Sequence, residues 1–360
     1  MNGTHHDGPG NPGGPAGGEL GGRRQTYLAS VGTALPGEPV DNAALAKTLG
    51  VNEEWIEVFI GTRTRHFARD LGTGEVRWSL ADLCAQAAQR ALAAPGCDPG
   101  DIEFIVLGTA TPDTLMPATV NHVADQLGLD QVPTFQLQSG CAGAVQALSV
   151  ARSMITSGEY RTGLVIGGDV CSKHLDLQRD LSGAAPGDLV NFVLFGDGAG
   201  AAVLTDEPRG QRLALREVLN RFTGLNREPG QVIEWFGLAD RYEDRQALTE
   251  DYKAIEESVP VMAVEILWEL LGELDWQAEE LDFLLPPQLS GRMTRLITEQ
   301  LDVPTAREVS CVAETGNNGN ALPFLQIEKL LDEMAAGQRA LAVAIESSKW
   351  IKAGFALEKI

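Results

Sequence analysis

The sequence predicts an α/β protein built from two related halves, on three observations. From about residue 27 onward, strand-length apolar runs alternate with helix-length amphipathic stretches. The order of elements in the first half recurs in the second. The chain has 360 residues, 44% of them hydrophobic, which is enough for two core-bearing halves.

The elements follow in order. Residues 1–24 are rich in Gly, Pro and Asn and read as a disordered tail, which removes His5 and His6 from consideration as catalytic groups. Order is expected to begin at the strand-like run Tyr27-Leu28-Ala29-Ser30-Val31-Gly32. A helix is expected over 80–94, a buried strand over 102–108, a helix over 117–127, a strand over 135–138, a helix over 142–157 and a strand over 163–168. The run Phe195-Gly196-Asp197-Gly198-Ala199-Gly200-Ala201 predicts a glycine turn followed by a strand to Leu204. In the second half, 281–286, 290–300, 308–313, 320–334 and 340–345 repeat strand, helix, strand, helix and strand. The expected organisation is a tail over 1–24, a first half over 25–206 and a second half over 207–360.

Composition narrows the function. Asp and Glu number 50 against 28 Lys and Arg, a formal net charge of -22, which disfavours general binding to nucleic acid or to anionic membranes. The five cysteines are widely spaced and form no CxxC pair, so neither a disulfide framework nor a metal site is expected, and a reducing cytoplasm is. No apolar run reaches membrane-spanning length and no signal-peptide core is present.

Cys141 stands out. It lies at an expected strand-to-helix junction, in Gln138-Ser139-Gly140-Cys141-Ala142-Gly143. The positive end of a helix dipole favours thiolate over thiol, and small neighbours let a carbonyl approach. A free cysteine is more often a small core residue, but the internal repeat adds weight. When the halves are aligned, Gly140-Cys141 falls on Gly316-Asn317, so both residues occupy the same junction of related units and can converge on one pocket.

These motifs together resemble the β-ketoacyl-ACP synthase III family of the thiolase superfamily, from about Tyr27 to Ile360. Ser139-Gly140-Cys141-Ala142-Gly143 is similar to its nucleophile motif, Phe195-Gly196-Asp197-Gly198-Ala199-Gly200-Ala201 to its glycine signature, and Gly316-Asn317 to its catalytic-asparagine motif. Glu54-Trp55-Ile56, followed by Gly61-Thr62-Arg63-Thr64-Arg65-His66, resembles a segment in which a tryptophan meets coenzyme A. The resemblance implies a layered αβαβα thiolase fold, a homodimer, and a pantetheine tunnel to the cysteine. It also implies acyl-CoA or an acyl carrier protein as donor, with CoA or phosphopantetheine as acyl carrier and no permanently bound cofactor. It places Trp55 and Arg292 on the tunnel, with Arg63 and Arg65 as further members of a basic patch for a carrier protein.

Four departures matter, one being that Asn318, Gly319 and Asn320 after the retained Asn317 differ from the family's small-residue pattern. Pro287, in Pro286-Pro287-Gln288-Leu289-Ser290, stands where the family has a histidine, and a proline side chain carries no hydrogen-bonding or titratable group. A glycine-rich loop is replaced by Glu346-Ser347-Ser348-Lys349-Trp350, which suggests that Trp350 reshapes the substrate pocket. Phe59 replaces an arginine after the tryptophan. With Asn317 alone left to stabilise an enolate, decarboxylative condensation is expected to be weak, since one such donor is worth on the order of a hundredfold in rate. Acylation of Cys141 needs less. The expected activity is therefore acyl transfer through an acyl-Cys141 intermediate to a small-molecule hydroxyl or amine, or to water, in secondary metabolism. Decarboxylative synthesis with a replaced group, and a non-catalytic acyl-binding role, are the alternatives. His174 and Glu314 are the possible bases. His174 can equally be a pocket-wall histidine, and Glu314 a solvated or salt-bridged carboxylate. His122 and His66 read as packing or surface residues.

Overall fold

Apolar strands that alternate between two cores dominate the molecule, and a computed structural model describes residues 24–235 and 248–360. Most of the expected tail, with His5 and His6, lies outside the described residues. The ten strands of the main sheet are β1 (Thr26–Ala34), β2 (Phe104–Thr109), β3 (Thr134–Gln138), β4 (Thr162–Val170), β5 (Asp197–Thr205), β6 (Leu213–Phe222), β7 (Phe283–Leu285), β8 (Arg307–Glu308), β9 (Arg339–Glu346) and β10 (Ile351–Lys359). Seven helices pack on them: α1 (Leu80–Leu92), α2 (Thr119–Leu127), α3 (Gly143–Thr156), α4 (Pro186–Leu194), α5 (Tyr252–Leu274), α6 (Gly291–Leu301) and α7 (Leu322–Leu331).

The strand order is β8-β7-β9-β10-β6-β1-β5-β4-β2-β3. Read outward from its middle, it repeats itself. In one half β3, β2 and β4 are parallel and β4, β5 and β1 antiparallel. In the other, β8, β7 and β9 are parallel and β9, β10 and β6 antiparallel. A short antiparallel joint from Thr26↔Leu215 to Leu28↔Leu213 connects them.

The unbroken apolar runs follow from burial on both faces. Phe104 and Val106 enter a central cluster with Val145, Leu148, Phe324 and Ile327, whereas Ile105 and Leu107 enter an outer cluster with α1. In β9, Ala340, Ala342 and Ala344 face the central cluster and Leu341, Val343 and Ile345 an outer one formed with α5. The period of two thus sends alternate side chains to different helical layers. With α3 and α7 inside, and α1 and α5 outside, this is the thiolase fold.

Helix ends carry recognisable caps. Ser79 Oγ accepts from Asp82 N (3.1 Å) while Asp82 Oδ2 accepts from Ser79 N (2.9 Å), a capping box for α1. Ser290 Oγ accepts from Met293 N (3.1 Å) to start α6.

Two expectations change. The glycines after Phe195 lie largely within β5 rather than in a turn before it: a Cβ on Gly200 would sit 2.3 Å from Phe324 Cβ, so bare backbone is needed for α7 to approach. The strand expected over 308–313 stops at Glu308, because the Cys311 and Val312 N–H groups donate to Gln288 Oε1 (2.9 and 3.0 Å) instead of to a neighbouring strand.

Candidate active site

Strand β3 ends at Gln138, Cys141 sits in the turn that follows, and α3 begins at Gly143. Ala142 offers the helix no side-chain cap. The missing acceptor comes from the other half of the chain: Asn320 Oδ1 accepts from Ala144 N at 2.7 Å, while its Nδ2 donates to Ser139 O (3.3 Å) and Asp169 Oδ2 (2.8 Å). Gly143 is needed for this approach, since a Cβ there would lie 2.6 Å from Asn320 Oδ1.

Asp169, at the end of β4, is fully buried and organises the junction. Its Oδ1 accepts from Thr109 Oγ1 (3.0 Å), Ala110 N (2.8 Å), Thr111 N (3.1 Å) and Thr111 Oγ1 (3.0 Å), and its Oδ2 also accepts from Asn320 N (2.8 Å). Burial raises its proton affinity, and these hydrogen bonds oppose the rise. Glu346, at the end of β9, is also buried; its Oε2 accepts from Ser139 Oγ at 2.6 Å and its Oε1 from Ser348 Oγ.

This setting reverses one expectation. The Cys141 thiol is pushed up to about 12, first by burial and then by Glu346, Asp169 and Glu250. The dipole argument favoured thiolate, but Asn320 already occupies the helix end and the nearby carboxylates oppose a second negative charge. This environment favours the neutral Cys141 thiol over the thiolate.

Cys141 lies where three cavities meet. The largest, about 480 Å³, is lined at one side by Trp55, Phe59 and Arg292 and contains Asn317. A second, about 30 Å³, holds Pro287, Asn317 and Gln326 beside the cysteine. The third, about 40 Å³, holds Asp169, Cys171 and His174. Cys141 and Asn317 therefore converge, with Pro287 next to them. Asn317 Oδ1 accepts from Gly319 N (3.0 Å), which fixes the side-chain amide, and its Nδ2 has no hydrogen-bond partner among the described residues. Gly319 (φ +54°) tolerates no side chain, as a Cβ would fall 2.2 Å from Asp169 Oδ2.

The remaining expected residues separate into two groups. Trp55 lies at the large cavity, stacked near Phe59 with ring centroids 6.1 Å apart. His174 faces the third cavity; its Nε2 is buried without a partner among the described residues, and burial, then Lys173, lowers its pKa and so favours the neutral ring. Glu314 is not brought to the cysteine: half of its side chain is exposed (51%), it is paired with Arg63, and it lines none of the three cavities. Trp350 does not line them either. It is buried in an outer core cluster, its Nε1 donates to Glu228 O (2.6 Å), and the Arg227 guanidinium stacks 4.0 Å from its ring, so it anchors the chain rather than shaping the pocket. Arg65 leaves the expected basic patch: it is buried, donating to Asn42 Oδ1 (2.7 Å) and Val193 O (2.8 Å), with its pKa lowered to about 10 by burial.

Sequence reasoning missed Glu346, Asp169 and Asn320 around the nucleophile, and Glu250 and Tyr252 in the large cavity. A signal existed for Glu346, which opens the run that replaces the glycine loop. Among the described residues no group of three His, Cys, Asp or Glu side chains gathers as a metal site, and no helix is long and apolar enough to cross a membrane.

A layered α/β protein of the thiolase fold, with Cys141 and Asn317 lining one cavity, defines a class, and comparisons with known proteins show the family. The family model for 3-oxoacyl-[acyl-carrier-protein] synthase III matches residues 135–218. The β-ketoacyl-[acyl-carrier-protein] synthase III of Rhizorhabdus wittichii is 33% identical over 298 residues, covering 83% of this chain and 88% of that one. Among solved structures, AbyA1, a tetronic acid condensing enzyme, is 58% identical with a TM-score of 0.90, covering 92% of this chain and 99% of that one. The 3-oxoacyl-(acyl carrier protein) synthase III of Pseudomonas aeruginosa is 28% identical with a TM-score of 0.81, covering 93% and 98%. The chain belongs to the β-ketoacyl-ACP synthase III family and is an enzyme of that family.

Proposed function

We propose that this chain is a cysteine-dependent acyltransferase that condenses an acyl thioester with a hydroxyl-bearing acceptor, without decarboxylation. The observation that carries the reading is the meeting of Cys141 and Asn317 in one cavity with Pro287 beside them. A nucleophile and one oxyanion donor are kept, while the position expected to hold a second enolate donor is filled by an inert ring.

The donor is an acyl-CoA or an acyl carrier protein, delivered past Trp55 and Arg292, and the working form is a homodimer in the cytoplasm. As the Cys141 sulfur attacks the thioester carbonyl, its proton passes to the neutral His174 Nε2 in the adjoining cavity. The oxyanion is held by Asn317 Nδ2 and the Cys141 N–H. The donor thiol leaves with the proton, giving acyl-Cys141.

The 58% identical tetronic acid condensing enzyme supports a more specific acceptor. Tetronic acid is a five-membered lactone carrying an enolised 1,3-dicarbonyl. Disconnecting its ester bond and the ring C–C bond gives an acyl thioester with an acidic α-carbon and a 2-hydroxyacyl thioester. Joining them needs one acyl transfer to oxygen and one carbon attack on a thioester, and neither step releases CO₂. A place in secondary metabolism fits such a product.

Intact-protein mass spectrometry tests the reading. Incubation with acetoacetyl-CoA is expected to add an acetoacetyl group to the wild-type protein and not to Cys141→Ala. Absence of the adduct, or CO₂ release from malonyl thioester at the rate of acyl loading, overturns it.

A further inference from the structure

The large cavity is mostly apolar, with Ile60, Val190, Leu194, Ile255 and Val259 in its wall, but one side is not. A two-stranded antiparallel sheet, Gln231–Ile233 paired with Leu248–Glu250, sets Gln231 directly across from Glu250. Gln231 Nε2 donates to Glu250 Oε1. Tyr252 follows as the first residue of α5, held there by the Asp251 cap, whose Oδ1 accepts from Ala254 N at 3.0 Å. Gln231, Glu250 and Tyr252 all line the same cavity as Cys141.

The polar groups on this side satisfy one another only loosely. Glu250 Oε2 and Tyr252 Oη are buried without a partner of strict hydrogen-bond geometry, while looser side-chain hydrogen bonds link the two to each other and to Asn191. Loosely paired buried polar groups cost free energy, and in a binding chamber a ligand can supply a better-placed partner. A neutral alcohol fits: its O–H donates to the carboxylate and its oxygen accepts from the phenol. A second carboxylate would be repelled.

We propose that Glu250, Tyr252 and Gln231 form the subsite for the acceptor's hydroxyl, with Glu250 as the base that receives its proton. This rests on the acyl-transfer reading above and deepens it. The acceptor's O–H proton passes to Glu250 Oε2 as the new C–O bond forms at the acyl carbon. The C–S bond to Cys141 breaks, and the departing thiolate takes the proton back from Glu250, so ester, thiol and carboxylate result. Burial raises the proton affinity of Glu250, which strengthens it as a base. The apolar wall then receives the rest of the acceptor.

The test separates loading from discharge. Acetoacetyl-Cys141 is formed first, then mixed with the N-acetylcysteamine thioester of 2-hydroxypropanoic acid or of propanoic acid, and the adduct is followed by mass. Wild type is expected to discharge to the hydroxylated thioester and not to the other. Glu250→Gln is expected to load and then discharge about a hundredfold more slowly, as loss of a general base implies. Tyr252→Phe, which deletes one oxygen, is expected to slow discharge about tenfold. Wild-type discharge in both variants overturns the inference while the acyl-transfer reading stands, and equal discharge with both thioesters removes the hydroxyl acceptor from both. A wild-type protein that never loads removes both.

Discussion

Ser139 Oγ donates to Glu346 Oε2 at 2.6 Å, tying the residue two before the nucleophile to the end of β9, 207 positions along the chain. This bond holds a carboxylate against the cysteine's own turn, where a Cβ on Gly140 would meet the Glu346 Cδ at 3.1 Å.

Glu346→Gln should therefore acidify Cys141. The wild-type thiol, at about 12, gives an iodoacetamide alkylation rate that rises tenfold per pH unit from pH 7 to 10 without a plateau. Removing the carboxylate that raises it most lowers the thiol pKa, so the variant alkylates several-fold faster at pH 8. A wild-type plateau near pH 7 would contradict the assigned environment.

Asn320→Ala removes the cap of α3 and two of the hydrogen bonds around Asp169 and Ser139. A lost cap and unsatisfied buried partners together cost about 2–3 kcal/mol. Urea unfolding should show a lower midpoint by that amount, and acyl loading should fall with it. A change below about 0.5 kcal/mol would mean the cap contributes nothing.

Asp197 provides a pH signature. Burial raises its carboxyl to about 6 from 3.8, against the hydrogen bonds from Ala68 N and Ser172. A folded pKa above the unfolded one means that its contribution to stability is complete below the unfolded value and is lost as pH rises through 6. Wild type should thus gain about 1 kcal/mol more than Asp197→Asn on going from pH 7.5 to pH 5. Denaturant titrations at both pH values measure this; parallel responses would refute it.

Pro287→His tests the vacancy beside Asn317. Wild type should release CO₂ from malonyl thioester at about 1% or less of its loading rate. A histidine placed in the cavity of Pro287, Cys141 and Asn317 should raise that release at least tenfold. Substantial wild-type release that the variant does not exceed would show that another group already does this work.

Much of the architecture was legible because it is written in local pattern. Strands buried on both faces leave continuous apolar runs, and duplication writes the pattern twice, which is how Cys141 and Asn317 could be paired before any coordinates. What failed was ionisation and direction. The helix-dipole argument for Cys141 is local, whereas the carboxylates that reverse it come from β4, from β9 and from the two-stranded sheet before α5. Arg65 reads as a surface cation until its partners Asn42 and Val193 are seen around it. Trp350 adopts φ +67°, a turn that carries its ring away from the cavity and under Arg227, and nothing in the adjacent residues announces it.

Asn320 and Glu346 both arrive late in synthesis. A nascent chain that has passed Cys141 but not yet reached residue 320 has neither the Asn320 cap nor the Glu346 carboxylate. The surroundings that raise the proton affinity of the sulfur are therefore assembled only with the last quarter of the polypeptide.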